Sequence, residues 1–508
     1  MHGIQRFKEI FEKYRDRPIL FYGDPDTDGL ISLLLMCQWG DMLGLKYSYY
    51  VNRNRYHGFE LSPSKLKGYL VIAADFQITE QEVEAIVAND IALLSTDHHD
   101  CQKNFIDIKG ETAEGIVINN QYPFEPEEDR YLSGAGVWYE LACELTPQFK
   151  STEREALVGI TLLSDVRPIE NAKAKKYLKT TYSIDPTQGY INYLITSTIK
   201  SDFGFGVPRL DRNFIDFNLS PCINALLRFD KTDEAVAFIL GGGLVNYEAR
   251  GKQHDLVLEM KLKAQVCDMG NIAILAVNSL DFLDVGVPIT NFIGLLCSNY
   301  KDDHGGISTL GLVFENGKVL RTSFRGRFDD IHYNSAFRNL GLDAHGHPTS
   351  FGIQNFHPTE DTWNQLNDLI GDLEANHSAT IRIINSSNLG MTLTRDGMNL
   401  ATENCYVRDM YRSYIKYTGS NYRIVRQTFR TEELTFQELQ SGVVPDVTTK
   451  GTPYRYIKDA NGKPIPKYIE YLVDGRTVKS FGITIEDGLI LPMLEKGYIQ
   501  LYVRSQLA

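Results

Sequence analysis

The segment that most constrains this chain is a group of three aspartates between two apolar runs. Asp24, Asp26 and Asp28 occupy alternate positions. The run 18–22 before them is typical of a buried parallel strand, and the run 30–36 after them is typical of a helix. Open α/β sheets bind their ligands at such strand-to-helix junctions. Because three crowded negative charges repel one another unless a cation lies between them, we interpret the group as a metal site.

Two other interpretations of the three aspartates remain open. An EF-hand calcium loop has the same beginning, but it requires a bidentate glutamate at its twelfth position, where this chain has Leu35. The segment is alternatively an acidic turn in which Asp28 caps the helix that follows. That interpretation explains one aspartate and gives the other two no role.

The composition of the chain is that of an ordinary globular protein. Its 508 residues are 43% hydrophobic and 23% charged, which suits roughly two to four domains. The seven cysteines form no CxxC pair, so we expect reduced thiols and neither a disulfide framework nor a zinc site. The net charge of −13 argues against non-specific binding of duplex DNA by the whole surface. A local basic groove beside a metal site still permits binding of a single strand.

Strands and helices alternate over residues 1–215 and predict a doubly wound, mostly parallel sheet. The predicted strands after the first are 46–51, 68–74, 91–96 and 115–120, and the predicted helices include 79–89, 134–146 and 152–164. The charged, helix-like N-terminal segment resembles neither a signal nor a transit peptide, and no apolar run approaches ~18 residues. We therefore expect a cytoplasmic protein without membrane spans.

Polar residues end three further elements of this first domain. Asp75 follows one strand, and Asp97, His98 and His99 follow another, while Asp165 ends a helix. Each residue alone has an ordinary structural explanation as a cap, a turn residue or a core histidine. The carboxyl ends of parallel strands meet at one edge, however, so together these residues predict a shared site.

There are more candidate ligands than one metal ion can coordinate, and their number suits two ions. Two ions about 3.5–4 Å apart bind a phosphate group and generate hydroxide from water. Carboxylates mixed with imidazole favour Mn²⁺ over Mg²⁺, which remains the alternative ion. The predicted ligands are Asp24, Asp26, Asp28, Asp75, His98 and Asp165.

The segment 97–99 is the Asp-His-His sequence after which the DHH phosphoesterase superfamily is named. The chain resembles this superfamily in four motifs in the same order: 24–29, Asp75, 97–99 and Asp165. The first motif resembles the RecJ branch, because the short-oligonucleotide hydrolases and manganese pyrophosphatases usually have a histidine where this chain has Tyr22. The segment 133–137 is also similar to a RecJ segment.

The resemblance implies roles for residues around the metals. Asp97 would orient a histidine ligand, and His99 would contact the phosphate. A polar loop resembles a substrate-binding loop of RecJ, which implies a contact by Arg53 or Arg55, with the register between them undecided.

The connector over 216–268 resembles a RecJ segment in Asn224 and Arg228, which implies substrate contacts there. Cys222 replaces the arginine of that segment, so one phosphate contact is absent. Residues 244–268 are predicted to form a long polar helix that joins two domains.

Residues 269–375 resemble the smaller α/β domain that is associated with DHH domains. In that domain a Ser-x-Arg strand and a Gly-Gly-His loop hold the substrate's phosphates. The resemblance implies substrate contacts by Ser323, Arg325, Gly346 and His347, with Arg325 and His347 neutralising charge on the reacting phosphate. His345 replaces the first glycine of the loop.

Residues 376–508 contain short strands and turn signals and predict a β-rich domain, OB-like by its position after the associated domain. Aromatic and basic residues alternate in a way that suits single-strand binding, although core tyrosines on a solvated β surface are an equal alternative. These residues are Tyr411, Arg412, Tyr414, Lys416, Tyr417, Tyr422, Arg423, Arg426 and Arg430.

The resemblance implies a RecJ-like exonuclease that degrades single-stranded DNA from 5′ to 3′ to mononucleotides, in DNA repair and recombination. A hydrolase of short oligonucleotides or cyclic dinucleotides is the first alternative. A non-catalytic relative, such as the scaffold subunit of the eukaryotic replicative helicase, is the second. We expect a monomer whose partners are single-stranded DNA and a single-strand-binding protein or helicase.

Overall fold

The computed structural model describes residues 1–375 except 54–58, 100–104, 166–171, 199–209, 211–213, 246–247, 305–306 and 329–330, and beyond residue 375 it describes chiefly strands between 383 and 503. The chain divides into two compact units, Met1–Ala379 and Thr380–Ala508. Among the described helices, none has the length and apolar character that a membrane crossing requires.

The first sheet contains six strands, five of them parallel. The strands are β1 (Ile19–Gly23), β2 (Tyr47–Val51), β3 (Leu70–Ala74), β4 (Ala92–Asp97), β5 (Ile106–Lys109) and β6 (Glu114–Asn119). Their order is β2-β1-β3-β4-β6-β5, and only the edge strand β5 runs antiparallel to its neighbour. The prediction of a mostly parallel sheet is confirmed, whereas β5 was not predicted.

Helices cover both faces of this sheet. They are α1 (Ile4–Tyr14), α2 (Thr27–Met42), α3 (Glu80–Ala88), α4 (Gly134–Leu145) and α5 (Thr152–Ser164). Tyr22 packs in the cluster that contains α3, whereas the neighbouring Phe21 lies against Gly40 of α2. Since successive side chains of a strand point to opposite faces, α2 and α3 cover opposite sides. The sheet is therefore doubly wound, as predicted.

Five described helices lead from the first sheet to the second. They are α6 (Ala172–Ser183), α7 (Gly189–Ser197), α8 (Ser220–Arg228), α9 (Thr232–Ile239) and α10 (Glu248–Lys263). The prediction that one helix spans 244–268 is wrong at both ends, because Val245 forms a β-bridge with Thr198 and the described helix begins at Glu248, while 265–268 form strand β7. Backbone hydrogen bonds to the next strand replace those of another helical turn there.

The second sheet is mixed and also has helices on both faces. Its strands are β7 (Gln265–Asp268), β8 (Ile272–Asn278), β9 (Ser308–Glu315), β10 (Lys318–Arg325), β11 (Asp343–His347) and β12 (Ser350–Gln354), and the described helices are α11 (Ile293–Asp303), α12 (Tyr333–Asn339) and α13 (Glu360–Ala375). The order is β11-β12-β10-β9-β8-β7, with only β8 and β9 parallel. One core joins α12 and α13 to the sheet and another joins α10 and α11.

The second unit is β-rich, as predicted. Its strands are β13 (Ile383–Asn385), β14 (Tyr414–Lys416), β15 (Tyr422–Phe429), β16 (Thr431–Glu433), β17 (Asp446–Val447), β18 (Pro453–Tyr456), β19 (Pro466–Val473), β20 (Arg476–Ser480), β21 (Leu489–Glu495) and β22 (Tyr498–Val503). They form a seven-stranded sheet and a three-stranded sheet. Of the aromatic and basic residues predicted to bind a strand, Tyr411, Arg412, Tyr417 and Arg430 lie outside the described residues.

Candidate metal centre

The parallel strands end in register, and this alignment assembles the predicted ligands. Gly23 of β1 pairs with Ala74 of β3, and Ala74 pairs with Thr96 of β4. The next residue on each strand is an aspartate, so Asp24, Asp75 and Asp97 leave the sheet side by side. The edge formed by these three strands therefore gathers three carboxylates.

Candidate ligand atoms lie within 4.8 Å of one another in four overlapping groups of residues. The groups are Asp24 with Asp26 and Asp75, Asp28 with His98 and Asp165, Asp75 with Asp97 and His99, and His98 with His99 and His347. The carboxylate-rich composition, with imidazole in three of the groups, fits divalent cations of the Mn²⁺ or Mg²⁺ kind. The structure thus brings together all six residues that the sequence predicts as ligands.

His98 lies at the centre of this arrangement and is buried. Its Nε2 atom is 2.9 Å from Asp75 Oδ1 and 3.8 Å from Asp28 Oδ2. Its Nδ1 atom is 3.6 Å from Asp165 Oδ2. Both ring nitrogens therefore face carboxylates from three separate parts of the chain.

The N-terminus of α4 holds Asp28. The backbone N–H groups of Gly134 and Ala135 donate to the two carboxylate oxygens of Asp28 at 2.7 and 3.0 Å. The positive end of a helix dipole stabilises a carboxylate at this place. A Cβ atom at Gly134 would lie 2.6 Å from Asp75 Oδ1, so only glycine fits between the two aspartates.

Asp26 is the N-cap of α2, which corrects the acidic-turn interpretation. Its Oδ1 atom accepts a hydrogen bond from the backbone N–H of Gly29 at 2.9 Å. Asp28, which that interpretation made the cap, lies inside the first turn instead. The turn therefore points Asp28 towards α4 while Asp26 fixes the start of the helix.

Asp75 has a backbone conformation that is uncommon for residues other than glycine. Its φ is +67° in the left-handed region. The backbone N–H of Asp75 donates to the carbonyl oxygen of Thr96 at 2.9 Å, which holds the residue beside the end of β4. Such local strain is concentrated at functional sites because the surrounding structure must maintain it.

Charge is concentrated at this edge. Burial raises the pKa of Asp28 well above its usual value, and the charges of Asp165 and Asp26 raise it further. The pKa of Asp75 is raised in the same way, by burial first and then by Asp28 and the other nearby carboxylates. A divalent cation among these oxygens would remove the repulsion and favour their ionised form.

Asp97 and His99 form a pair of their own. His99 Nδ1 lies 2.8 Å from Asp97 Oδ1, and Asn119 Nδ2 donates to Asp97 Oδ2 at 2.9 Å and to the His99 carbonyl at 3.0 Å. Burial would lower the pKa of His99, but the charge and hydrogen bond of Asp97 outweigh it and raise the pKa to about 9. Asp97 thus faces the histidine that was expected to contact phosphate.

His347 reaches the same place from the second sheet. Its Nε2 atom is 3.3 Å from Asp165 Oδ1, and its ring stacks on that of His99 with centroids 4.8 Å apart. The preceding Gly346 has φ +128°, and a Cβ atom there would meet the backbone of Phe351 at 2.9 Å. Glycine at 346 therefore allows the chain to present His347.

Comparison with known proteins agrees with this geometry. Residues 18–163 match the family model described as the DHH family, N-terminal domain. Residues 18–163 are therefore similar to the N-terminal domain of the DHH family. The single-stranded-DNA-specific exonuclease RecJ of Bacillus subtilis strain 168 is 23% identical over 471 residues, which cover 84% of this chain and 57% of that protein. The match thus spans little more than half of the relative's length.

Solved RecJ structures share the fold. RecJ of Thermus thermophilus in complex with Mn²⁺ matches with a TM-score of 0.64 and 16% identity, over 100% of this chain and 72% of that one. A manganese-bound exonuclease RecJ matches with a TM-score of 0.52 and 17% identity, over 74% of this chain and 96% of that one. The chain is thus RecJ-like in fold beyond its DHH domain.

Arg325 and His347 lie at the same level of the second sheet, on strands to either side of β12. Both residues pair with Ser350 of β12, Arg325 from β10 and His347 from β11. Residues directly opposite one another in antiparallel strands point to the same face, so Arg325 and His347 share a face. The Arg325 guanidinium donates to Ser323 Oγ at 2.9 Å and to Ser298 Oγ at 3.2 Å.

The remaining predicted substrate residues lie around the DHH domain in different ways. Asn224 Oδ1 is 3.4 Å from Thr27 Oγ1, at the start of α2. Arg228 donates instead to Gln253 of α10 at 3.1 Å. Arg53 donates to Asp233 of α9, and Arg55 lies outside the described residues.

Four residues that support the site were not predicted as site residues. Asn119 follows β6 as the aspartates follow their strands, so the same strand-end rule could have found it. Gly134 and Ala135 lie in the segment that is similar to a RecJ segment, but no local pattern shows that their amides bind Asp28, because that partner is about a hundred positions away in the chain. Ser298 is similarly an ordinary helix residue until α11 packs beside β10.

Proposed function

We propose that this chain is a metal-dependent phosphodiesterase of the RecJ type that degrades single-stranded DNA from 5′ to 3′ to mononucleotides. The observation that carries the proposal is the assembly of six candidate ligands from four parts of the chain at the edge of the DHH domain. The similarity to the exonuclease RecJ supports the choice of substrate.

The predicted ligands are Asp24, Asp26, Asp28, Asp75, His98 and Asp165, and the proposed ions are two Mn²⁺, with Mg²⁺ as the alternative. Two such ions, when bound, supply hydroxide near neutral pH and neutralise charge on the phosphate. Buried carboxylates with mutually raised pKa values support a site that is built for cations.

His99, His347 and Arg325 would position the phosphate. His99 is held by Asp97 and lies against the ring of His347, so the two imidazoles can donate to neighbouring phosphate oxygens. Arg325 lies on the same face of the second sheet as His347. Hydrogen bonds to Ser298 and Ser323 fix its guanidinium, which offers a planar donor group. Such preorganised donors act most strongly where charge develops during reaction.

The decisive experiment digests one long single-stranded DNA in Mn²⁺, labelled at the 5′ end in one sample and at the 3′ end in another. Immediate release of mononucleotide from the 5′ label, with slow shortening of the 3′-labelled strand, is the expected result. The reverse pattern would contradict the proposed polarity. Replacing Mn²⁺ by Mg²⁺ in the same assay tests the choice of ion.

A series of substrate lengths separates the alternatives. Turnover of di- to pentanucleotides with no cleavage of the long strand would favour a short-oligonucleotide hydrolase. Absence of turnover on every length, by a folded protein that binds Mn²⁺, would favour a non-catalytic relative. We further propose that the protein acts as a cytoplasmic monomer beside a single-strand-binding protein or helicase, which pull-down on coated single strands would test.

A further inference from the structure

An exposed ion pair joins the loop after β2 to helix α9. The Arg53 Nη2 atom donates to both carboxylate oxygens of Asp233, at 3.0 and 2.9 Å. The Arg53 side chain is 42% exposed and that of Asp233 is 85% exposed. Water therefore reaches the pair from most directions, and pairs of this kind contribute little to stability. The contact can be exchanged for another anion at small cost.

The position of Arg53 places it beside the metal centre. Val51, the last residue of β2, pairs with Gly23, the last residue of β1. Asp24 and Arg53 thus leave the sheet at the same edge, one and two residues beyond this pair. The backbone N–H of Arg53 donates to Glu60 Oε2 at 2.9 Å. The backbone of Arg53 is therefore anchored while its guanidinium reaches Asp233.

The guanidinium donates to a phosphate with the same N–H groups that it offers to a carboxylate. A nucleic acid strand carries a phosphate at every nucleotide, so a strand held at the metal centre brings further phosphates along this edge. Asp233 accepts hydrogen bonds from the Arg53 N–H groups that such a phosphate would bind, and the negative charge of Asp233 also repels the strand.

We propose that Asp233 competes internally with the backbone phosphates of a single-stranded nucleic acid: it holds the Arg53 guanidinium in the free protein and gives it up when a strand binds. This inference rests on the proposed function, because it requires a strand at the metal centre. Helix α9 of the connector, which carries Asp233, would thus help to determine the affinity for the strand.

The test measures the dissociation constant of a fluorescein-labelled phosphorothioate oligothymidylate in Mn²⁺ by fluorescence anisotropy. The variants are Asp233→Asn, Arg53→Gln and the double variant. Glu234→Gln is the matched control, because Glu234 is also an exposed acid in the first turn of α9 but pairs with Lys231. Turnover of the unmodified strand is measured in parallel.

Asp233→Asn is expected to bind about two- to five-fold more tightly than the wild type, the range of a weak exposed ion pair. Arg53→Gln is expected to bind more weakly, and Asp233→Asn should bring no gain in that background. Three results would overturn this inference while leaving the proposed function intact. They are equal changes in affinity for Asp233→Asn and Glu234→Gln, a gain in affinity from Asp233→Asn that persists in the Arg53→Gln background, and weaker binding by Asp233→Asn. A wild-type protein that neither binds nor cleaves the strand would overturn the proposed function first.

Discussion

At the scale of single residues, the metal centre depends on a glycine that separates two aspartates. Gly134 donates its backbone N–H to Asp28, and its missing side chain leaves space for Asp75. A Cβ atom at this position would lie 2.5 Å from Asp75 Cβ, a distance that real Cβ atoms do not adopt. One methyl group would therefore displace a predicted ligand without altering any charge.

We predict that Gly134→Ala reduces hydrolysis by about a hundred-fold, because misplacement of a reacting group by about 1 Å has effects of that size. Its affinity for Mn²⁺ should fall as well. Gly251→Ala is the control, since Gly251 lies in α10 with nothing within 4 Å of an added Cβ. That variant should keep full activity. Wild-type Mn²⁺ affinity and turnover in Gly134→Ala would show that Asp75 is not a ligand in this position.

Asp75 gives a second prediction, in which stability and metal binding change in opposite directions. Asp75→Asn removes a carboxyl group whose pKa is raised in the folded state, and such a group lowers the stability of the metal-free protein at neutral pH, so the metal-free variant should melt at a higher temperature than the metal-free wild type. Mn²⁺ should raise the melting temperature of the wild type, since a ligand that binds only the folded state stabilises it. The variant should lose that increase, and hydrolysis with it. An unchanged Mn²⁺-induced increase in Asp75→Asn would refute the assignment.

At the scale of elements, helix α1 is attached to β6 by one carboxylate. Glu114 accepts hydrogen bonds from Arg6 and Lys13 of α1 and is itself buried. Burial would raise the pKa of Glu114, but the bonds from Lys13 and Arg6 outweigh it and hold the pKa below its usual value. A carboxylate with a lowered pKa in the folded state stabilises above its unfolded pKa and loses this contribution as the pH falls.

Glu114→Gln is therefore expected to cost about 1–3 kcal/mol of unfolding free energy at pH 7, the usual value of hydrogen bonds to a charged group. The cost should begin to shrink as the pH falls below about 4.3, the usual glutamate value, and should vanish only below the lowered pKa of the folded state, where the wild-type carboxylate becomes protonated. Urea unfolding at several pH values measures it. Glu9→Gln is the control, because Glu9 is 54% exposed and lies 3.7 Å from Arg6. A cost that does not depend on pH would mean that packing, not charge, attaches α1.

At the scale of the whole molecule, the first unit contains every predicted metal ligand, together with Arg325 and His347, which are proposed to bind phosphate. Residues 1–379 form a compact unit with its own hydrophobic cores. A fragment that ends at Ala379 is therefore predicted to bind Mn²⁺ like the full chain and to cleave short oligonucleotides at a similar rate. If the β-rich unit binds the strand, KM for a long strand should rise by about ten-fold or more. An unchanged KM would leave that unit without a role in strand binding.

The sequence predicted those parts of the molecule that follow from local pattern. The sheet and the metal cluster were predicted from apolar strands that end in aspartates, because the carboxyl ends of parallel strands meet at one edge of a sheet. Helix α3 was predicted over 79–89, and Thr79 and Glu82 form a capping box at its start. Each strand with its aspartate, and the capping box, depends on residues within a few positions of one another, and the topology of a parallel sheet supplies the rest.

The features that the sequence could not predict depend on distant partners. Strand β5 forms because β6 offers it an edge, and β7 ends α10 early because β8 lies beside it. Asp26 rather than Asp28 caps α2, because the amides at the start of α4 hold Asp28. The partner of Arg53 is 180 residues away. Such contacts depend on tertiary packing, and the local sequence pattern does not specify which distant residues will meet.

The most direct test of the central claim is a crystal structure of the protein soaked in Mn²⁺, with the ions located by anomalous scattering. We predict two peaks about 3.5–4 Å apart, ligated by side chains from the group Asp24, Asp26, Asp28, Asp75, His98 and Asp165. Peaks away from these side chains, or none at the carboxyl edge of the first sheet, would contradict the account of this site as a dinuclear metal centre.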